Sequence, residues 1–402
     1  MKNKSSNPFI KWFDGHDRSD GVPAELTDEA DLVAIKGARI CGEHAARFFR
    51  EDVAQSIRQE RPGDFPPGPN GAPVYKILGL SGGGSRGSFG AGYIYGWTLT
   101  GRRPQFKLVT GVSTGAMVAP FAFLGPEYNE ELLDIFTHLG ARKVFRVRNF
   151  VSWLWHDSFA DTQPLANLLM RYADEKALKA VAAAHARGRR LYIGTTNLDA
   201  QCQVIWNMGA IAASNHPDAP LLFRNVLLAS ASIPGMFPPV YFDVEARGQR
   251  YREMHVDGEV MGGVFFNGFM VDLPALRSEI IGDTEKAAVA AYVICNGKLS
   301  SNPVRVGRSL PSIIRRTIKT LNKAHERDHI YHIFSVLLQK QSDLNYLAIP
   351  DDYPLPDDKP GFDAAEMTHL FNLGAEMAAS GYPWCKFPPG LENCSQHPAL
   401  SY

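Results

Sequence analysis

Apolar and polar positions divide the chain into a polar opening, an alternating strand–helix body and a helical end. Residues 1–40 are polar, rich in Asp and Gly, and show little periodicity. Ala45, Phe48, Phe49, Val53 and Ile57 then recur at helical spacing and predict an amphipathic helix within 41–60. Residues 61–73 form a Pro- and Gly-rich linker. A short apolar run over 74–80 predicts a buried strand, and a second covers 106–112. Helices are expected over 114–124, 130–139 and 164–185, the last with Pro164 in its first turn. Residues 191–195, 204–206 and 288–295 read as further strands, and one long helix covers 310–340. Strands alternating with helices predict a mostly parallel sheet covered on both faces. There is no internal repeat and no low-complexity block.

Composition narrows the function. The 402 residues are 45% hydrophobic and 21% charged, with 42 basic and 42 acidic side chains. A balanced charge argues against a nucleic-acid binder, which carries a basic excess on one face. It leaves room for a local membrane-binding patch. Cys41, Cys202, Cys295, Cys385 and Cys394 are scattered, with no C-x-x-C pair to suggest a zinc ribbon or redox motif. Cys385 and Cys394 read equally well as a disulfide or as two thiols. The basic N-terminus has no apolar stretch behind it, so it is not a signal peptide as written. No run approaches the roughly 18 apolar residues of a membrane span. The chain is expected to be soluble, cytoplasmic or peripheral, with export open if a leader has been removed.

The glycine run over 79–92 follows the first body strand. Glycine lets backbone N–H groups converge on one point, and a helix N-terminus there favours negative charge. Gly82, Gly84 and Gly87 also satisfy the dinucleotide pattern G-x-G-x-x-G. That pattern needs an acid roughly 20 residues on for the ribose, and the first acid after Gly87 is Glu127. An oxyanion site uses the same loop without the acid. Gly111-Val112-Ser113-Thr114-Gly115 is G-x-S-x-G between a strand and a helix, the context of a nucleophile elbow. A serine needs a base. None of the twelve histidines sits in a recognisable turn, whereas Asp257 stands at a strand end before Gly258 and Glu259. Taken alone, Asp257-Gly258 also reads as a plain turn. His255 reads as structural.

In that order, Gly82-Gly83-Gly84-Ser85-Arg86-Gly87, Gly111-x-Ser113-x-Gly115 and Asp257-Gly258 resemble the patatin-like phospholipases. The run Ala229-Ser230-Ala231-Ser232-Ile233-Pro234-Gly235-Met236-Phe237-Pro238-Pro239 resembles that family's apolar segment ahead of the aspartate. The resemblance covers residues 74–265 and implies a three-layer α/β/α fold with a mostly parallel central sheet. Residues 1–73 would be an N-terminal extension and linker, 74–300 the catalytic domain and 301–402 a helical C-terminal extension. It also implies a Ser113–Asp257 dyad without histidine, an oxyanion hole in the glycine loop, no cofactor and no metal. The substrate would be a lipid ester at a membrane or micelle surface. Arg86 fits the family's basic loop position, where it supports the loop or meets a lipid phosphate. One departure stands out: the family has Asp-Gly-Gly or Asp-Gly-Ala where this chain has Glu259, which would raise the pKa of Asp257 if close.

Three other features bear on function. A chain that kept the fold and lost turnover would be a lipid-binding protein, and Glu259 is what favours it. His325, Glu326 and His329 match the zinc-hydrolase pattern H-E-x-x-H, although no third ligand is evident and the helix is basic. His325 and His332 continue a stripe of Ile314, Ile318 and Leu321, which is expected to face the core or a neighbouring element. Residues 142–160 mix Arg142, Lys143, Arg146 and Arg148 with Phe145, Trp153 and Trp155, and suit an interfacial surface or lid as well as a packed helix edge.

Overall fold

A computed structural model describes residues 21–41, 45–138, 146–147, 160–264, 271–282, 287–355 and 363–391. Ten strands form the central sheet: β1 (Asp31–Leu32), β2 (Arg39–Cys41), β3 (Val74–Leu80), β4 (Leu108–Gly111), β5 (Arg190–Asn197), β6 (Cys202–Asn207), β7 (Val240–Ala246), β8 (Gln249–Asp257), β9 (Ala288–Cys295) and β10 (Asp343–Ala348). Around them lie α1 (Ala45–Arg58), α2 (Gly87–Leu99), α3 (Thr114–Leu124), α4 (Asn129–His138), α5 (Gln163–Tyr172), α6 (Glu175–Ala186), α7 (Met208–Ala213), α8 (Ala219–Ser230), α9 (Leu273–Ile281), α10 (Leu310–Gln339) and α11 (Ala364–Ser380). The single helix expected over 164–185 is two, broken where the Asp174 side chain caps the Ala177 amide.

The strand order is β1-β7-β8-β5-β4-β3-β9-β10. From β5 through β10 the neighbours run parallel. On the other side β5, β8, β7 and β1 pair antiparallel, so the sheet is mixed. Successive side chains of a strand point to opposite faces. Leu78, Leu80 and Val109 therefore pack into one apolar cluster with α2, α3, α8 and α11. Tyr75, Ile77 and Leu108 pack into a second with α1, α9 and α10. Helix, sheet and helix make the three layers that the strand–helix alternation predicts.

The register places the site. β5 carries β6 along one edge, with Tyr192 opposite Asn207 and Thr195 opposite Val204. Its other edge is shared by two strands in succession. β4 pairs with its first half, ending at Gly111 opposite Ile193. β8 pairs with its second half from the opposite direction, ending at Asp257 opposite Thr195. The carboxyl ends of β4 and β8 thus meet at Gly194.

Buried polar groups hold this arrangement. Arg39 ion-pairs with Glu253 with both side chains buried. His255 Nε2 lies 3.1 Å from Glu253 and Nδ1 2.9 Å from Thr195 Oγ1. Trp206 Nε1 donates to the same Thr195 oxygen at 2.8 Å. The Glu253 carboxylate can only accept, so Nε2 carries the proton of the neutral imidazole, and Nδ1 accepts the Thr195 hydroxyl hydrogen. Burial lowers the His255 pKa, and the ring is a neutral strut for β8. Cys41 and Cys202 form a disulfide that ties β2 to β6, with Cα atoms 6.5 Å apart. Their 161-residue separation hid this pair from the sequence. Cys385 is exposed, and Cys394 lies outside the described residues.

Candidate active site

Ser113 stands between the end of β4 and the start of α3. Its backbone is at φ 52°, ψ −127°, a left-handed conformation that a non-glycine residue holds only when its surroundings enforce it. Gly111 and Gly115 make the turn possible, because a Cβ on Gly111 would strike the Gly115 carbonyl and one on Gly115 the Leu80 carbonyl. A third residue pins the turn. Ser230, at the end of α8, donates from Oγ to the Gly194 carbonyl at 2.7 Å and accepts the Ser113 amide at 3.0 Å.

The meeting of the two strand ends puts Asp257 against the serine. Ser113 Oγ donates to Asp257 Oδ2 at 2.6 Å, and both residues are 2% exposed. Asp257 Oδ1 accepts the Glu259 amide at 2.8 Å. The Asp257 amide donates to the Ser232 carbonyl at 2.9 Å, and Thr196 Oγ1 donates to the Asp257 carbonyl at 2.9 Å. Two serines of the run 229–239 therefore fix the two facing residues. Burial first, and then the negative charge of Glu259, raise the Asp257 carboxyl well above its ordinary range. The Ser113 hydroxyl and Glu259 amide, by donating to it, pull it partly back.

The glycine loop lies across the elbow. Gly83 and Gly84 have φ of 148° and 59°, and the Gly84 carbonyl accepts the Thr114 hydroxyl at 2.7 Å. The amides of Gly83, Gly84 and Ser85 meet no acceptor among the described residues, whereas the Gly82 amide donates to the Gly263 carbonyl at 3.2 Å. Gly87 opens α2 against Thr114. Asn296, just after β9, holds the loop from behind. Its Nδ2 donates to the Ser81 carbonyl at 2.7 Å and its Oδ1 accepts the Gly90 amide at 2.9 Å. Nothing local in the sequence marks Asn296, and the run 229–239 gave Ser230 no role of its own, because each works through a backbone group far away along the chain.

Glu259 follows Gly258 in a short helical turn and lies against Gly82. Burial raises its pKa and the Arg86 charge lowers it. Glu326 of α10 reaches the same cluster and sits over Gly297 with Arg86. Burial and the Glu259 charge push its carboxyl up to about 7, against Arg86 and hydrogen bonds from Ser81 and Cys295. Arg86 is thus the cation between two carboxylates, and its Nε makes only a 3.4 Å approach to the Gly83 carbonyl.

Two cavities meet here. One takes in Ser113 and Gly84 and is walled by apolar side chains, among them Met117, Phe121, Leu165, Leu169 and Phe223. The other also reaches Gly84 and is walled by Arg86, Lys298, Arg316, Lys319 and Lys323 with Glu259 and Glu326. The H-E-x-x-H helix contributes Glu326 to this wall, while His329 packs on Gly262 and His325 is exposed. Among the described residues no three His, Cys, Asp or Glu side chains converge in a metal-holding group. The expected core stripe is corrected: Ile314, Ile318 and Leu321 are about half exposed, turned away from the sheet. The aromatic and basic side chains of 142–160 lie outside the described residues.

Residues 78–270 match the family model described as patatin-like phospholipase. Among solved structures, VipD from Legionella pneumophila is similar at 12% identity and TM-score 0.32, over 79% of this chain and 70% of that one. Full-length ExoU of Pseudomonas aeruginosa, in complex with SpcU, is similar at 13% identity and TM-score 0.27, over 77% and 52%. The human GIVD cytosolic phospholipase A2 is similar at 10% identity and TM-score 0.24, over 68% and 49%. The chain thus spans about half of each of the last two. No protein in a comparison with curated sequences matches. Residues 78–270, which carry the glycine loop, the elbow and the aspartate, thus match a patatin-like phospholipase domain.

Proposed function

We propose that the protein is a serine acyl-hydrolase that cleaves the carboxylic esters of phospholipids through Ser113 and Asp257. The observation that carries the reading is the 2.6 Å bond from the Ser113 hydroxyl to a buried carboxylate, at the seam of an apolar and a basic cavity. Asp257 takes the proton as Ser113 Oγ attacks the ester carbonyl. The oxyanion forms beside the amides of Gly83 and Gly84, and the preorganised donors stabilise it. Asp257 then protonates the leaving alcohol, and in the second half it deprotonates the water that releases the fatty acid. Carboxylates are weak bases, and the raised pKa of Asp257 makes it a stronger one. The acyl chain lies along Met117, Phe121 and Leu169, and the phosphate faces the cluster of lysines and arginines.

The test is hydrolysis of a short-chain ester and of a diacyl phospholipid, with chelator present, by wild type and Ser113→Ala. The expected result is turnover in the wild type and a loss of roughly 10⁴-fold or more in the variant. Equal rates would remove Ser113 as the nucleophile.

A second reading is a lipid-binding protein without turnover, which the Glu259 carboxylate beside Gly82 and Asp257 favours. It predicts an inactive wild type in which Glu259→Gly restores hydrolysis.

A further inference from the structure

α10 turns the wrong side outward for an ordinary surface helix. At 3.6 residues per turn, Leu310, Ile314, Ile318 and Leu321 fall within about 80° of one another around the axis. Leu310 is 70% exposed, and Ile313, Ile314, Ile318 and Leu321 are 49–53% exposed. The opposite side of the helix carries Lys319, Lys323 and Glu326 into the basic cavity, and further along it buries Ile330, Ile333 and Leu337. Exposed apolar residues scattered singly are unremarkable, but a contiguous patch marks an interaction site.

Charge says what kind of surface it meets. Residues 300–325 hold Arg305, Arg308, Arg315, Arg316, Lys319 and Lys323 and not one Asp or Glu. The rest of the chain balances this, since the whole has equal numbers of basic and acidic side chains. An apolar stripe framed by cations is complementary to an anionic lipid leaflet. It is a poor match for a second copy, because a two-fold contact would set the same cations against each other.

We propose that the outward face of α10 from Leu310 to Leu321, with the basic segment around it, docks the protein on an anionic lipid surface. The docking sets the helix that walls the basic cavity against the membrane, and it rests on the lipid-hydrolase reading of the site beside that cavity. The stripe enters the acyl boundary while Arg305, Arg308 and Arg315 meet the phosphates.

Binding is separable from turnover by using the full chain carrying Ser113→Ala. This protein is expected to co-sediment with vesicles of phosphatidylcholine and phosphatidylserine, to do so far less with phosphatidylcholine alone, and to be released by salt. Adding Ile314→Ser, Ile318→Ser and Leu321→Ser should lower vesicle partition about a hundredfold. In the otherwise wild-type chain the same three changes should leave hydrolysis of a soluble short-chain ester unaltered, which shows the fold intact. Arg308→Ser with Arg315→Ser should remove the preference for phosphatidylserine. Equal vesicle binding with and without the three serines overturns the proposal, as does failure of the parent to bind phosphatidylserine vesicles. A parent that sediments as a dimer, becomes a monomer with the three serines and ignores vesicles would make this face a contact between copies, and would overturn it too. Absence of ester hydrolysis in the wild type would sink the hydrolase reading instead and leave the binding result standing.

Discussion

The two cavities that meet at Gly84 are made of opposite chemistries. The one holding Met117, Phe121 and Leu169 offers almost no polar atom, so it reads a ligand by length and volume, at about 0.8 kcal/mol per buried methylene. The one holding Arg86, Lys298, Lys319 and Lys323 reads charge. Ser113 opens into the first, one peptide-width from the loop that lines the second. An ester bond set between a fatty chain and a phosphorylated headgroup has the same polarity. Ser113 and Asp257 face each other at this seam because the strand ends of β4 and β8 meet there and at no other place along β5.

The comparison can be broken most sharply at its centre. Asp257→Asn keeps the shape of the side chain and removes the base, so kcat should fall by roughly 10²–10⁴-fold for every ester, whichever cavity it fills. Steady-state rates on a short-chain ester and a phospholipid check this. A fall confined to one substrate would contradict the shared chemistry. A change in one cavity should act on one part of the substrate. Met117→Trp fills the apolar wall one turn beyond Ser113. It should cut kcat/KM for long-chain esters by about a hundredfold relative to short-chain ones, measured over a chain-length series. Lys319→Ala with Lys323→Ala thins the basic wall. It should raise KM for phospholipid monomers about tenfold and leave a neutral short-chain ester unchanged.

The smallest effect sharpens the electrostatics. In the proposed mechanism Asp257 must be ionised to accept the serine proton, and the Glu259 charge helps hold its pKa up. Removing that charge in Glu259→Gln makes Asp257 easier to ionise. The acid limb of the kcat/KM profile should therefore move to lower pH. A shift to higher pH would mean that Glu259 acts on some other group.

What the sequence disclosed follows from how each residue works. The loop 82–87, the elbow 111–115 and Asp257-Gly258 are marked because a backbone that bends sharply or approaches closely demands glycine, and glycine leaves a local trace. The fold class follows from strand–helix alternation that the structure keeps. The hairpin of β7 and β8 was illegible for two physical reasons. Its turn places Arg247 and Gly248 at φ 49° and 80°, without the Asn or Asp that usually signals such a turn. Its inward positions include Glu253 and His255, which are buried only because Arg39 and Thr195 satisfy them. Ser230, Ser232 and Asn296 act through backbone groups across the fold, and no spacing rule finds them. The stripe of Ile314, Ile318 and Leu321 was legible as a pattern but not as a direction, since periodicity tells that residues share a face and not what the face meets.

The central claim is that Ser113 is a nucleophile activated by Asp257. Its most direct test is covalent labelling of the intact protein with a fluorophosphonate, followed by intact mass and peptide mapping. The account predicts one adduct, on Ser113, formed far more slowly in Asp257→Asn and absent in Ser113→Ala. Labelling at another residue, or labelling of Ser113 at the same rate without Asp257, would contradict it.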